Sequence, residues 1–190
     1  MSIAGACLSI AAVTLLADTP LPRATPTLGQ LMAEADLVAV VTIRDAEWGN
    51  ASAIYQGDIQ RSFKGAGGVV CFESPYGNYA LADTYVVILK ATGKAVGDCT
   101  SRSRDGKLAT GVSTSDPLYV SLVQTPIPVE AVGALWGGEP VVFVSPQVVL
   151  PSTLAAKPLE GVDRQGWVWL PVSQFESELV RIVGKPHAKP

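Results

Sequence analysis

Histidine is almost missing from this 190-residue chain: His187 stands alone, among Lys185, Pro186, Lys189 and Pro190. General bases and activators of nucleophiles are usually histidines. A His-dependent triad would have to draw its base from a terminal tail, and HExxH zinc sites or His-rich copper sites need more than one ring. Those chemistries are excluded. The chain also lacks a GxSxG elbow, an SxxK pair, a GxxxxGK[ST] loop and a GxGxxG fingerprint. The glycine-rich residues 64–68 join two strand patterns and lack the following helix that phosphate binding uses, so they read as a hairpin turn.

Charge is scarce as well. Only 16% of residues are charged and 48% are hydrophobic, which excludes a disordered chain. The net charge of -3 supplies no field to attract nucleic acid or anionic lipid. Arg102, Arg104 and Lys107 form the densest basic group and read as a solvated turn. No cofactor and no metal are expected.

Cysteine is limited to Cys7, Cys71 and Cys99. Residues 3–17 carry no charge and only Ser9 and Thr14 as polar breaks. The run is shorter than the roughly 20 residues of a membrane helix and has the length of a signal-peptide core. It ends at Ala17 before Asp18, Thr19 and Pro20. Residues 1–17 are therefore expected to be a signal peptide, and the protein to be periplasmic or extracellular. No later segment is long enough to span a membrane as a helix. Cys71 and Cys99 then remain in an oxidising compartment, either as a disulfide or as two buried thiols.

What is present is strand pattern with a helix at each end. Residues 18–26 are a Pro- and Thr-rich linker. Thr27 and Gln30 have the spacing of a capping box, and Leu28, Leu31 and Met32 share one helical face up to Asp36. Residues 37–43 read as a strand buried on both sides. Residues 53–63 alternate, with Ala53, Tyr55, Ile59 and Phe63 on the drier face, as an antiparallel strand does. Residues 69–72, 84–89, 118–123, 140–144 and 166–170 complete the strands. The Pro-Ile-Pro at 126–128 reads as punctuation and residues 151–161 as an irregular loop. Ser173 and Glu176 suggest a second capping box, followed by the apolar stripe of Phe175, Leu179 and Val183, stopped at Gly184 and Pro186. A mostly β chain without alternating strand and helix argues for one sandwich or small barrel over residues 27–184, with a tail at 185–190.

The order of these pieces resembles bacterial exported proteins with a netrin/TIMP-like domain. Ala33, Glu34, Ala35 and Asp36 lead into a Val-rich strand. An alternating strand ends in Phe63, Lys64 and Gly65, Cys71 follows, then Tyr85 to Leu89, then Cys99, Thr100, Ser101 and Arg102. The resemblance covers residues 27–104. It implies a small OB-like antiparallel barrel with a short N-terminal helix, a C-terminal β extension and a C-terminal helix. It also implies that Cys71 pairs with Cys99. No cysteine stands where inhibitors of that kind place a metal-chelating amine, so chelation by that route is not implied. Ala82 and Asp83 replace the family's usual Gly-Glu.

A non-catalytic module binding a protein, peptide or glycan, and not nucleic acid, is the functional expectation. Phe72, Tyr76, Asn78 and Tyr79 are its candidate ligand contacts, since exposed aromatics beside an amide are a common β-barrel binding surface. Trp136, Trp167 and Trp169 read as core or lid. The alternative is a secreted hydrolase using two carboxylates about 5–10 Å apart, drawn from Asp45, Glu47, Asp58, Glu73 and Asp83.

Overall fold

The computed structural model describes residues 24–48, 52–75, 78–95, 117–131, 138–161 and 164–184. Helix α1 (Leu28–Glu34) starts as its sequence requires. The Gln30 amide donates to Thr27 Oγ1 at 3.2 Å, and the Gln30 side chain returns to the Thr27 amide at 2.8 Å. Two of the orphan N–H groups of the first turn are thereby satisfied. Leu28, Leu31 and Met32 are buried.

Five strands close a barrel: β1 (Leu37–Trp48), β2 (Ala53–Lys64), β3 (Val69–Ser74), β4 (Thr84–Ala95) and β5 (Pro117–Ser121). They run in the order β1, β2, β3, β5, β4, and β4 pairs back onto β1. Every barrel pairing is antiparallel except β3 with β5, where Phe72 lies opposite Tyr119 and Glu73 opposite Val120. This is the OB-like arrangement, a five-stranded Greek-key barrel. The β1–β2 ladder carries three register shifts, which bend long strands enough to close a sheet on itself. Gly57 sits at the tightest crossing, where a Cβ would fall 2.2 Å from Val41 Cγ1. The β2–β3 hairpin turns at Gly65, whose φ of +87° and closeness to the Asp36 carbonyl leave no room for a side chain.

The apolar run of β1 is explained by its two cores. Leu37, Ala39, Val41 and Ile43 face the barrel interior with Tyr55, Phe72, Val87 and Leu89. Val38 and Val40 face outward, yet they too are buried, against α1, Val86, Ile88 and the C-terminal extension. A strand covered on both faces has no polar alternation to keep.

The extension adds β6 (Ile127–Glu130), β7 (Val141–Val144), β8 (Lys157–Pro158) and β9 (Val168–Pro171) to the free edge of β4, in the order β6, β7, β9, β8. Helix α2 (Val172–Val183) then packs Phe175 and Leu179 into the core that holds α1. Three expectations are corrected here. The segment read as Pro-Ile-Pro punctuation is strand β6, with Pro128 paired opposite Tyr85. The stretch read as an irregular loop contains the short strand β8. The second capping box is absent: α2 begins at Val172, directly after Pro171, whose φ of -54° already suits a helix. Ser173 therefore lies inside the first turn and donates to Glu139, and Glu176 pairs with Arg61.

Candidate functional site

Phe72 and Tyr79, two of the residues expected to be ligand contacts, turn inward. Phe72 on β3 is fully buried and Tyr79 nearly so. With Tyr55 from β2 and Tyr85 from β4 they form one packed cluster, with ring centroids 5.5 Å apart for Tyr55–Phe72, 5.1 Å for Phe72–Tyr79 and 4.9 Å for Tyr79–Tyr85. These are the offset and edge-on distances at which aromatic pairs attract. The expectation of exposed rings is thus corrected: strand alternation sends Tyr55, Phe72 and Tyr85 into the barrel, and Tyr79 folds back over them. Asn78 is exposed, and Tyr76 lies outside the described residues.

The cluster's hydroxyls are placed with care for their protons. The Ala80 amide donates to the Tyr85 hydroxyl at 2.9 Å. The Ser121 hydroxyl donates to the Val123 carbonyl at 2.9 Å, so in the 3.4 Å contact between Tyr79 and Ser121 the Tyr79 O–H is the donor. Burial pushes Tyr79 up to about 12, with Tyr55 and Tyr85 adding to the rise and the Ser121 bond opposing it. A raised phenol keeps its proton in the folded state after the unfolded chain has lost its own. Its contribution is therefore whole below pH 10, the ordinary tyrosine value, and is lost as pH rises towards about 12. That loss is expected to reach about 2–3 kcal/mol. Denaturant melts across this alkaline window check it: Tyr79→Phe should flatten the decline, and an equal decline in that variant would refute it.

A concave site lies instead on the flank of the barrel, where β4 meets the extension. A cleft of about 290 Å³ is lined by Asn78, Asp83, Tyr85, Glu130, Arg164 and Trp167, with Thr125, Pro126 and Pro128 at its side. Backbone geometry brings the two acids together. Thr84 pairs with Val129 at the end of the antiparallel β4–β6 ladder, and Asp83 and Glu130 are the residues next to that pair. Asp83 is aimed by a strained turn: Ala82 is left-handed at φ 68°. It is held there because the Ala82 amide donates to the Ile43 carbonyl at 2.8 Å and the Ile43 amide to the Asp83 carbonyl at 3.0 Å. Tyr85 feels both carboxylates. Burial chiefly raises its hydroxyl above the ordinary tyrosine value, the Ala80 bond lowers it, and Asp83, Tyr55 and Glu130 add to the rise.

The facing positions come from the turn before β9. The Arg164 guanidinium lies over the Trp167 ring at 5.6 Å and the Phe143 ring at 5.9 Å. Trp167 is half-buried, and its amide donates to the Arg164 carbonyl at 3.1 Å, closing the turn. Trp169 packs in a small core with Val141 and Phe143, with Lys157 over its ring. The arrangement offers charge of both signs, hydroxyl and amide donors, and an indole.

The other acids serve the sheet surface. Asp58 is ion-paired with Arg44, Glu73 accepts from the Ser52 hydroxyl, and Asp45 accepts from the Ala46 amide. Only Asp83 of the sequence-derived acids reaches the cleft, and its neighbour Glu130 was hidden behind the proline-rich reading of β6. Arg164 carried no local signal at all. Cys71 is buried on β3. Cys99, the basic group at 102–107, Trp136, His187 and the leader lie outside the described residues. Among the described residues no group of three or more His, Cys, Asp or Glu could hold a metal ion, and no helix is long and apolar enough to cross a membrane.

Comparison with known proteins returns no match: no family model, no curated protein and no solved structure is similar to this chain.

Proposed function

We propose that this protein is an exported, non-catalytic binding module of netrin-like type, meeting a peptide, protein or glycan ligand in the cleft beside β4 and β6. The cleft itself carries the reading. The barrel interior is filled by its own rings, whereas this concavity combines two carboxylates, a stacked guanidinium and an indole, the mixture of fixed polar groups and apolar surface that binding sites use. Export is supported by the uncharged run at residues 3–17. Cys71 is buried on β3, as a disulfide cysteine of an exported barrel would be. Cys99 is the partner this reading assigns to it.

The presence of Asp83 and Glu130 in one cleft favours one second reading, a hydrolase with paired carboxylates. Both side chains are open to solvent, whereas a general acid works from an apolar pocket. A single experiment separates the two. Amide shifts of the full chain are followed by NMR against a panel of short peptides, amino acids and small oligosaccharides, and each mixture is then incubated and analysed for cleavage. Saturable shifts centred on Asn78, Glu130 and Trp167 with intact probe are expected. Cleavage abolished by Glu130→Gln would establish the hydrolase instead, and a panel that leaves the cleft unmoved would overturn the binding reading.

A further inference from the structure

The cleft gathers charges of both signs. Asp83 and Glu130, the residues next to the last β4–β6 pair, are like charges lining one cleft. Among the described residues no cation is ion-paired with either. Arg164 lines the same cleft, and among the described residues it likewise has no carboxylate partner. Its guanidinium already lies over the Trp167 and Phe143 rings. A planar fork held in this way loses little freedom when it takes up a carboxylate. Two anionic groups and a cation thus line one cleft, with no counter-charge ion-paired to them among the described residues.

The space between them is small. At about 290 Å³ the cleft falls at the lower end of ligand pockets, and Pro126, Pro128 and the Trp167 ring supply apolar surface beside the charges. We infer that the cleft takes a small zwitterion, an α-amino acid or dipeptide, with its ammonium between Asp83 and Glu130 and its carboxylate on Arg164. The ammonium's three N–H donors match the two carboxylates and the Asn78 amide oxygen. The carboxylate supplies an acceptor for Arg164, and the prolines and indole cover the ligand's side chain.

This inference rests on the binding-module reading, and its test is built to fail separately from it. The full chain is titrated calorimetrically with the free L-amino acids and with glycylglycine, then with the N-acetylated and the C-amidated form of whichever probe binds. Saturable binding is expected to weaken at least about tenfold on either capping. Free amino acids binding in preference to glycylglycine would identify a single residue as the ligand, and the reverse a peptide. Asp83→Asn with Glu130→Gln should abolish the effect of capping the ammonium. Arg164→Gln should weaken the free probe and leave the amidated one unchanged. A capped probe that binds as tightly as the free one overturns the zwitterion and leaves a binding module. A neutral oligosaccharide that alone moves the cleft resonances does the same, and failure of every probe class removes both readings.

Discussion

Truncating Phe72 to alanine is expected to cost about 3–5 kcal/mol of folding free energy. The side chain has no solvent exposure and touches two other rings, Tyr55 and Tyr79, from a strand that is the meeting point of β2 and β5. Its removal leaves a cavity that cannot collapse, because the surrounding rings are pinned by hydrogen bonds and by closure of the barrel. A loss of this size is a large fraction of the roughly 5–15 kcal/mol by which a domain is stable. Urea unfolding of the full chain should show the midpoint falling with little change in slope. A loss below about 1 kcal/mol would mean that the ring is not in the core. Phe72→Leu, which keeps most of the volume, should recover much of the stability, whereas a ligand-contact role for Phe72 would show in binding and not in the melt.

Replacing Cys71 and Cys99 together by alanine is expected to cost about 2–4 kcal/mol, the effect of opening a loop of roughly 30 residues. The described backbone leaves their meeting within reach. On β3, Phe72 pairs with Tyr119 of β5, so Cys71 lies level with Leu118. On the other side of β5, the last residue of β4, Ala95, pairs with Pro117. The chain thus leaves β4 close to the level of Cys71, and the steps from Ala95 to Cys99 reach at most about 14 Å. Denaturant midpoints measured with and without reductant, for the natural chain and the double variant, check this. The reductant should lower the natural chain to the level of the variant. Identical midpoints for oxidised and reduced natural protein would remove the disulfide from the proposal. A Cys7→Ala chain that loses its bond would reassign the partner.

Much of the barrel is legible in the residues because it is written in local chemistry. The capping box of Thr27 and Gln30, the double-sided apolar run of β1, the alternation of β2 and the glycine turn at Gly65 each follow from spacing or from a backbone angle that only certain residues adopt. The strands that escaped notice are those whose existence depends on a neighbour. Strand β6 contains Pro128, which withholds a donor from any ladder, and it forms because the β4 edge beside the closed barrel offers Thr84 to Val86 as partners. Strand β8 is two residues long and stands only against β9. The start of α2 was misplaced because Ser173 has a capper's chemistry but is spent on Glu139, a partner 34 residues away.

The candidate site divides along the same line. By itself the sequence determined the chemistries that a nearly histidine-free chain cannot run, the β-rich class, and the strands that carry Tyr55, Phe72 and Tyr85, because composition and period are properties of neighbouring residues. Whether a ring faces a ligand or fills a barrel is decided by closure, since the same alternation serves an open sheet and a closed one. Only the tertiary structure turned Phe72 and Tyr79 inward, and brought Glu130, Arg164 and Trp167 to the same cleft as Asp83. Those contacts join residues dozens of positions apart, and the free energy that selects them comes from burying both faces of β1 and β4 at once, which no local window of sequence contains.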